Sequence, residues 1–89
     1  MGDAINPAVT VATINKNRRE ELRVVLDTFK GQKLLDVRVF AAITATSDTV
    51  MAPTKKGISL QASLLPELIE ALTAARDTAQ AMGWLEEAA

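Results

Sequence analysis

The stretch Lys33-Leu34-Leu35-Asp36-Val37-Arg38-Val39-Phe40-Ala41-Ala42-Ile43 decides the fold. Its side chains alternate with a period of two: Leu35, Val37 and Val39 fall on one face of an extended chain, Leu34, Asp36, Arg38 and Phe40 on the other. A helix would scatter these sets around its circumference, whereas a strand keeps them apart with the aliphatic set toward a core. Lys30-Gly31-Gln32, just before it, is short and contains glycine, which suits a hairpin turn. Upstream of that turn Leu22 to Phe29 alternates too, with Val24, Leu26 and Thr28 sharing one face and Arg23, Val25, Asp27 and Phe29 the other.

Working outward, Val9 to Ile14 is rich in β-branched residues and reads as a first strand, and Asn15 to Glu21 is a polar, turn-forming connection. On the other side, Thr44 to Thr49 is small and polar and reads as a loop, and Pro53 makes the start of the next strand irregular or an edge. A fourth strand is expected over about Thr54 to Leu60, with Ile58 and Leu60 pointing inward and Gly57 permitting a bend or a close backbone approach. The remainder is helical, carrying Leu65, Leu68, Leu72, Ala75, Ala79 and Met82 in one stripe at three- and four-residue spacings. Ser63 is the expected N-cap, Pro66 sits in the first turn, and Gly83 stops the helix. The expected fold is therefore α+β: a four-stranded antiparallel sheet followed by a C-terminal helix, ββββα. Residues 1–8 read as a flexible tail and residues 9–89 as a single domain.

A chain of 89 residues buries about two thirds of its unfolded surface, and chains of this size often enlarge their core by pairing. The helix stripe is longer than one small sheet covers, which favours a partner helix and hence a homodimer. Trp84 follows the helix stop and is expected to pack in the same interface, alongside Leu65, Leu68, Leu72, Ala75, Ala79 and Met82.

The chain has neither cysteine nor histidine, which excludes disulfides and thiolate chemistry and removes the commonest metal ligand and general base. Ser47 and Ser59 have no histidine to activate them, and the carboxylates are scattered. No metal, cofactor or catalytic role is expected. The start Met1-Gly2-Asp3-Ala4-Ile5-Asn6 lacks the features of a signal peptide, and no apolar run approaches the roughly 18 residues of a spanning helix. A cytoplasmic location without membrane contact is expected.

The formal net charge of -1 conceals an uneven distribution. Between Lys16 and Leu60 lie nine of the ten basic and five of the eleven acidic residues, a local excess of +4. From Gln61 onward only Arg76 opposes Glu67, Glu70, Asp77, Glu86 and Glu87. Two surfaces of opposite character are implied.

Two segments, Phe29-Lys30-Gly31-Gln32-Lys33-Leu34-Leu35-Asp36-Val37-Arg38 and Lys55-Lys56-Gly57-Ile58-Ser59-Leu60, together resemble the positive-cofactor-four family of transcriptional coactivators. The family pattern is an aromatic-basic-Gly turn, an aliphatic strand carrying Asp and Arg, then basic-Lys-Gly-Ile-Ser-Leu leading into the helix. The resemblance implies a dimer with helices packed across the twofold and curved sheets that form grooves for single-stranded nucleic acid. It points to a bacterial or phage member acting in replication, recombination or repair, or as a transcription cofactor, with proteins of those processes as candidate partners. The family's tryptophan falls at Ala41, so that Phe40 is the candidate substitute ring; a family basic position falls at Gln32, with Lys33 next to it. Glu20 and Leu22 also stand where the family is commonly basic, and Arg18, Arg19 and Arg23 are the nearby cations.

A sequence-tolerant binder of single strands needs spaced cations for phosphates and planar groups for bases. The candidate set is Arg23, Phe29, Lys30, Lys33, Arg38, Phe40, Lys55, Lys56 and Gly57. DNA is the expected ligand, with RNA left open. The plainer reading makes Phe29 and Phe40 caps of the core at the sheet edge and the cations a solvated surface, with Asp36 as the partner of a basic neighbour. A different class of function also fits the charge: a protein-interaction module docking an acidic partner on the basic sheet.

Overall fold

The computed structural model describes residues 8–45 and 48–85. Four strands, β1 (Val9–Asn15), β2 (Glu20–Phe29), β3 (Gln32–Ala45) and β4 (Asp48–Gln61), form one antiparallel sheet in the order β1-β2-β3-β4. A 3-10 turn over Ala62–Leu64 leads into helix α1 (Leu65–Ala81). This is the expected ββββα order. The tail read over residues 1–8 lies, except for Ala8, outside the described residues, as do Ser47, Glu86 and Glu87.

The β2–β3 turn is the two-residue hairpin that the glycine suggested. Lys30 and Gly31 both have positive φ, 52° and 79°, the type I′ geometry whose twist matches the flanking strands. Phe29 and Gln32 close the ladder beneath it. From there β2 and β3 pair without interruption to Glu20 and Ala41, so alternate pairs share a face. Leu22, Val24 and Leu26 lie with Val39, Val37 and Leu35 on the aliphatic face; Arg23, Val25 and Phe29 lie with Arg38, Asp36 and Gln32 on the other.

Two local expectations are corrected. β3 and β4 run to Ala45 and from Asp48, so most of the segment read as a loop is hairpin; Ile43 pairs with Val50, and the Thr44 and Thr49 hydroxyls meet at 3.1 Å. Backbone pairing carries this arm without any hydrophobic alternation to advertise it. Ser63 is not the helix cap: it lies within the 3-10 turn, the cap position is Leu64, and no side chain caps it. Ile58 lies opposite Val37 on the aliphatic face, as expected, but is exposed in the single chain while Leu60 is half-buried.

The helix stop is as expected. Gly83 takes φ 77°, its N–H bonds the Gln80 carbonyl at 3.0 Å, and the Trp84 N–H bonds the Ala79 carbonyl at 2.8 Å. These are the two closing bonds of a Schellman motif, which requires the left-handed residue.

Among the described residues only Leu35 and Val39 are buried apolar side chains. Helix α1 buries none, and its substantial contacts are with the 3-10 turn rather than with any strand. The radius of gyration is 16.3 Å, against about 12 Å for a compact chain of this length. Leu26, Ile43, Val50 and Ile58 on the sheet and Ile69 and Leu72 on the helix therefore stand in solvent in the single chain. Among the described residues no helix is long and apolar enough to cross a membrane.

Candidate nucleic-acid interface

The face opposite the aliphatic one carries a groove of about 300 Å³ lined by Val25, Asp27, Phe29, Leu34, Asp36, Arg38, Phe40, Pro53 and Ser59. Alternation puts the β2 and β3 contributors on this side, and the ladder sets their order. Phe29 stands at the hairpin end, the Asp36–Arg38 pair in the middle, and Phe40 opposite Pro53 at the far end.

The two rings differ in setting. Phe29 is 61% exposed, with the Lys30 ammonium 5.4 Å from its centroid. That leaves a planar apolar surface standing free beside a cation at the turn. Phe40 is half-buried, and the guanidinium carbon of Arg23 lies 4.1 Å from its centroid. A cation at that distance is attracted by the ring's quadrupole.

Both arginines of this face, Arg38 in the groove and Arg23 beside Phe40, are held. Arg38 donates from Nε to Asp36 Oδ2 at 3.0 Å and from Nη2 to Oδ1 at 2.7 Å, a two-pronged pairing, while its Nη1 donates to the Thr54 carbonyl at 3.0 Å. Hydrogen bonding to the Asp36 carboxylate raises the pKa of Arg38 above its ordinary value, partly opposed by desolvation. Arg23 donates from Nε to Glu21 Oε2 at 2.5 Å. The sequence-based expectation of Asp36 as a structural partner is met.

A bulge brings in the lysines. Arg38 pairs with Gly57 and Phe40 with Pro53, so Val39 alone faces Thr54, Lys55 and Lys56. Thr54 holds this loop: its hydroxyl donates to the Val39 carbonyl at 2.8 Å and accepts from the Lys56 N–H at 3.1 Å. Lys55 and Lys56 are thereby left exposed on the bulge between the Arg38–Gly57 and Phe40–Pro53 pairs, though neither lines the groove. Gly57 is required by close approach, since a Cβ there would lie 2.5 Å from the Val37 carbonyl oxygen and 2.8 Å from the Arg38 Cα. Thr54 was not legible as a site residue, because only the fold puts it opposite Val39.

The structure brings Arg23, Phe29, Arg38, Phe40 and Gly57 onto one face, with Lys30 at its turn end and Lys55 and Lys56 on its bulge. It does not bring Lys33 there. Lys33 pairs with Thr28 on the aliphatic side and lines a separate hollow beside Ala62. Leu65, Leu68 and Ala79 of the helix stripe are half-buried; Leu72, Ala75 and Met82 are exposed, and Trp84 is 71% exposed.

The β1–β2 turn closes the far end of β2. The Asn17 side-chain oxygen accepts from the Arg19 and Glu20 N–H groups, both at 2.9 Å, and Lys16 pairs with the Glu20 carboxylate at 2.9 Å. Hydrogen bonds from Asn17 and then Lys16 hold the Glu20 carboxyl below its ordinary pKa, with a smaller contribution from the charge of Lys56. Among the described residues no cluster of acidic side chains could hold a metal ion.

An open antiparallel sheet of four strands followed by one helix, with rings and cations on the uncovered face, defines the class: a small α+β sheet protein with a candidate nucleic-acid surface. The family model for Transcriptional Coactivator p15 (PC4) matches residues 16–71, more than half of the chain, and the protein belongs to that family. The crystal structure of a PC4 homologue from Burkholderia pseudomallei is similar to it at 28% sequence identity and a TM-score of 0.66, covering 83% of this chain and 96% of that one. A second crystal form of the same homologue gives a TM-score of 0.65 at 28% identity, covering 79% and 98%. No curated protein matches the chain. The resemblance seen in the sequence, and with it the α+β fold, is borne out.

Proposed function

We propose that the protein binds single-stranded DNA without strong sequence preference, as a homodimer and without catalytic activity of its own. The observation that carries this reading is the groove, where an exposed ring at Phe29 and a held guanidinium at Arg38 share one uncovered sheet face. Single strands expose base faces as well as phosphates, and such a surface addresses both. Lys30, Lys55 and Lys56 supply the spaced cations, with Lys33 on the opposite side available only to a strand that wraps the hairpin. Membership in a coactivator family agrees with a nucleic-acid ligand.

The homodimer is supported by the helix, which buries no residue in the single chain, and by the two-residue buried core. A second copy laying its helix along the first would cover Leu72, Ala75, Met82 and Trp84. The setting we propose is the bacterial or phage-infected cytoplasm, in replication, recombination, repair or transcription.

The test is fluorescence anisotropy of labelled oligothymidine and of a matched duplex across a salt series. Tighter binding to the single strand, falling steeply with salt, is expected. Absence of binding at low salt removes the reading and leaves the docking of an acidic protein partner in its place.

A further inference from the structure

Arg23 and Phe40 form a layered pair whose geometry assigns them different parts. The ring of Phe40 has ladder neighbours on both sides, Glu21 on β2 and Pro53 on β4, and the guanidinium carbon of Arg23 lies over it at 4.1 Å. A base cannot use a ring face that is already covered. The guanidinium is also not free to swing out toward a phosphate, because doing so breaks both the contact with the ring and the bond from Nε to Glu21 at 2.5 Å. Arg23 does not itself line the groove, but it lies against Phe40, which does, and its side chain is 28% exposed on a sheet face against which α1 does not pack.

Resting on the nucleic-acid reading above, we propose that Arg23 is the stacking surface at this end of the groove, with Phe40 as its underlay and Glu21 as its clamp. A guanidinium is planar, delocalised and weakly hydrated, and bases stack on it as they do on aromatic rings. Glu21 balances its charge, so the contribution of Arg23 is planar contact more than counterion release. The groove then presents two platforms of different kinds, the open ring of Phe29 at one end and the supported guanidinium of Arg23 at the other. The plane is lost in Arg23→Lys while the charge and the pairing with Glu21 remain possible.

The experiment uses the full chain and an oligothymidine carrying one fluorescent base analogue that is quenched on stacking. Arg23→Lys is expected to lower affinity roughly five- to hundredfold, the worth of one base stack, and to relieve part of the quenching, with the salt slope unchanged. Phe40→Leu, which removes the underlay, should move both readouts in the same direction by less. Wild-type affinity and quenching in Arg23→Lys would overturn the assignment, and their loss in Phe40→Leu alone would make the ring the platform. A loss of fold in Arg23→Lys, seen by circular dichroism, would make the pair structural and also overturn it. A wild-type protein that fails to bind the oligonucleotide at low salt would instead remove the nucleic-acid reading itself.

Discussion

Arg23 and Arg38 stand directly opposite each other on neighbouring strands, yet each turns away to a carboxylate two residues earlier in its own strand, Glu21 at 2.5 Å and Asp36 at 2.7 Å. Like charges facing each other across a ladder destabilise it. Here the two carboxylates make the arrangement tolerable and aim the guanidiniums in opposite directions along the groove. Asp36→Asn should therefore lower the midpoint of urea unfolding, because the two-pronged pairing with Arg38 loses its charge. The same variant should steepen the salt dependence of oligothymidine binding, because Arg38 gains a free charge. An unaltered salt slope would show that Arg38 does not face the phosphates.

Phe29 projects into solvent, so its truncation removes little that the fold depends on. Phe29→Ala should keep the wild-type circular dichroism spectrum and weaken single-strand binding by roughly 1–3 kcal/mol, with duplex binding and salt slope unchanged. Unfolding of this variant would make Phe29 a core residue, and undiminished binding would end its role as a platform.

Gly57 lies where the bulge crosses β3, and a methyl group there meets backbone on two sides. Gly57→Ala should destabilise the protein by about 1–3 kcal/mol, as overpacking does. It should also displace Lys55 and Lys56 on the bulge beside the groove, which lowers the magnitude of the salt slope by about 0.7 for each phosphate no longer neutralised. Lys56→Ala serves as the reference, giving the slope change without the loss of stability.

Leu72 is 59% exposed in the single chain, in the middle of the helix stripe. In a helix-paired dimer it becomes buried, and a carboxylate there would be an uncompensated charge. Leu72→Asp should weaken self-association by about 3–5 kcal/mol, measured by sedimentation equilibrium. A wild-type protein that sediments as a folded monomer at micromolar concentration would contradict the dimer.

Much of this molecule was legible because its signals are local. The alternation of β2 and β3, Gly31 in the hairpin and Gly83 at the helix end each report a backbone conformation from neighbouring residues alone. The outer part of the β3–β4 arm, Thr44 and Ala45 against Asp48 and Thr49, was read as a loop because these small residues carry no contrast between faces, and its pairing rests on backbone bonds that any side chain permits. Ser63 misled because the chain inserts a 3-10 turn before the helix, a choice that no single residue announces.

The sequence by itself determined which residues share a face of each strand, where the chain reverses and where the helix stops, since these follow from periodicity and from left-handed backbone at glycine. Only the tertiary structure decided which side chains meet across strands. Register and bulges set those meetings through hydrogen bonds between distant residues: Arg23 opposite Arg38 and over Phe40, and Thr54 against Val39.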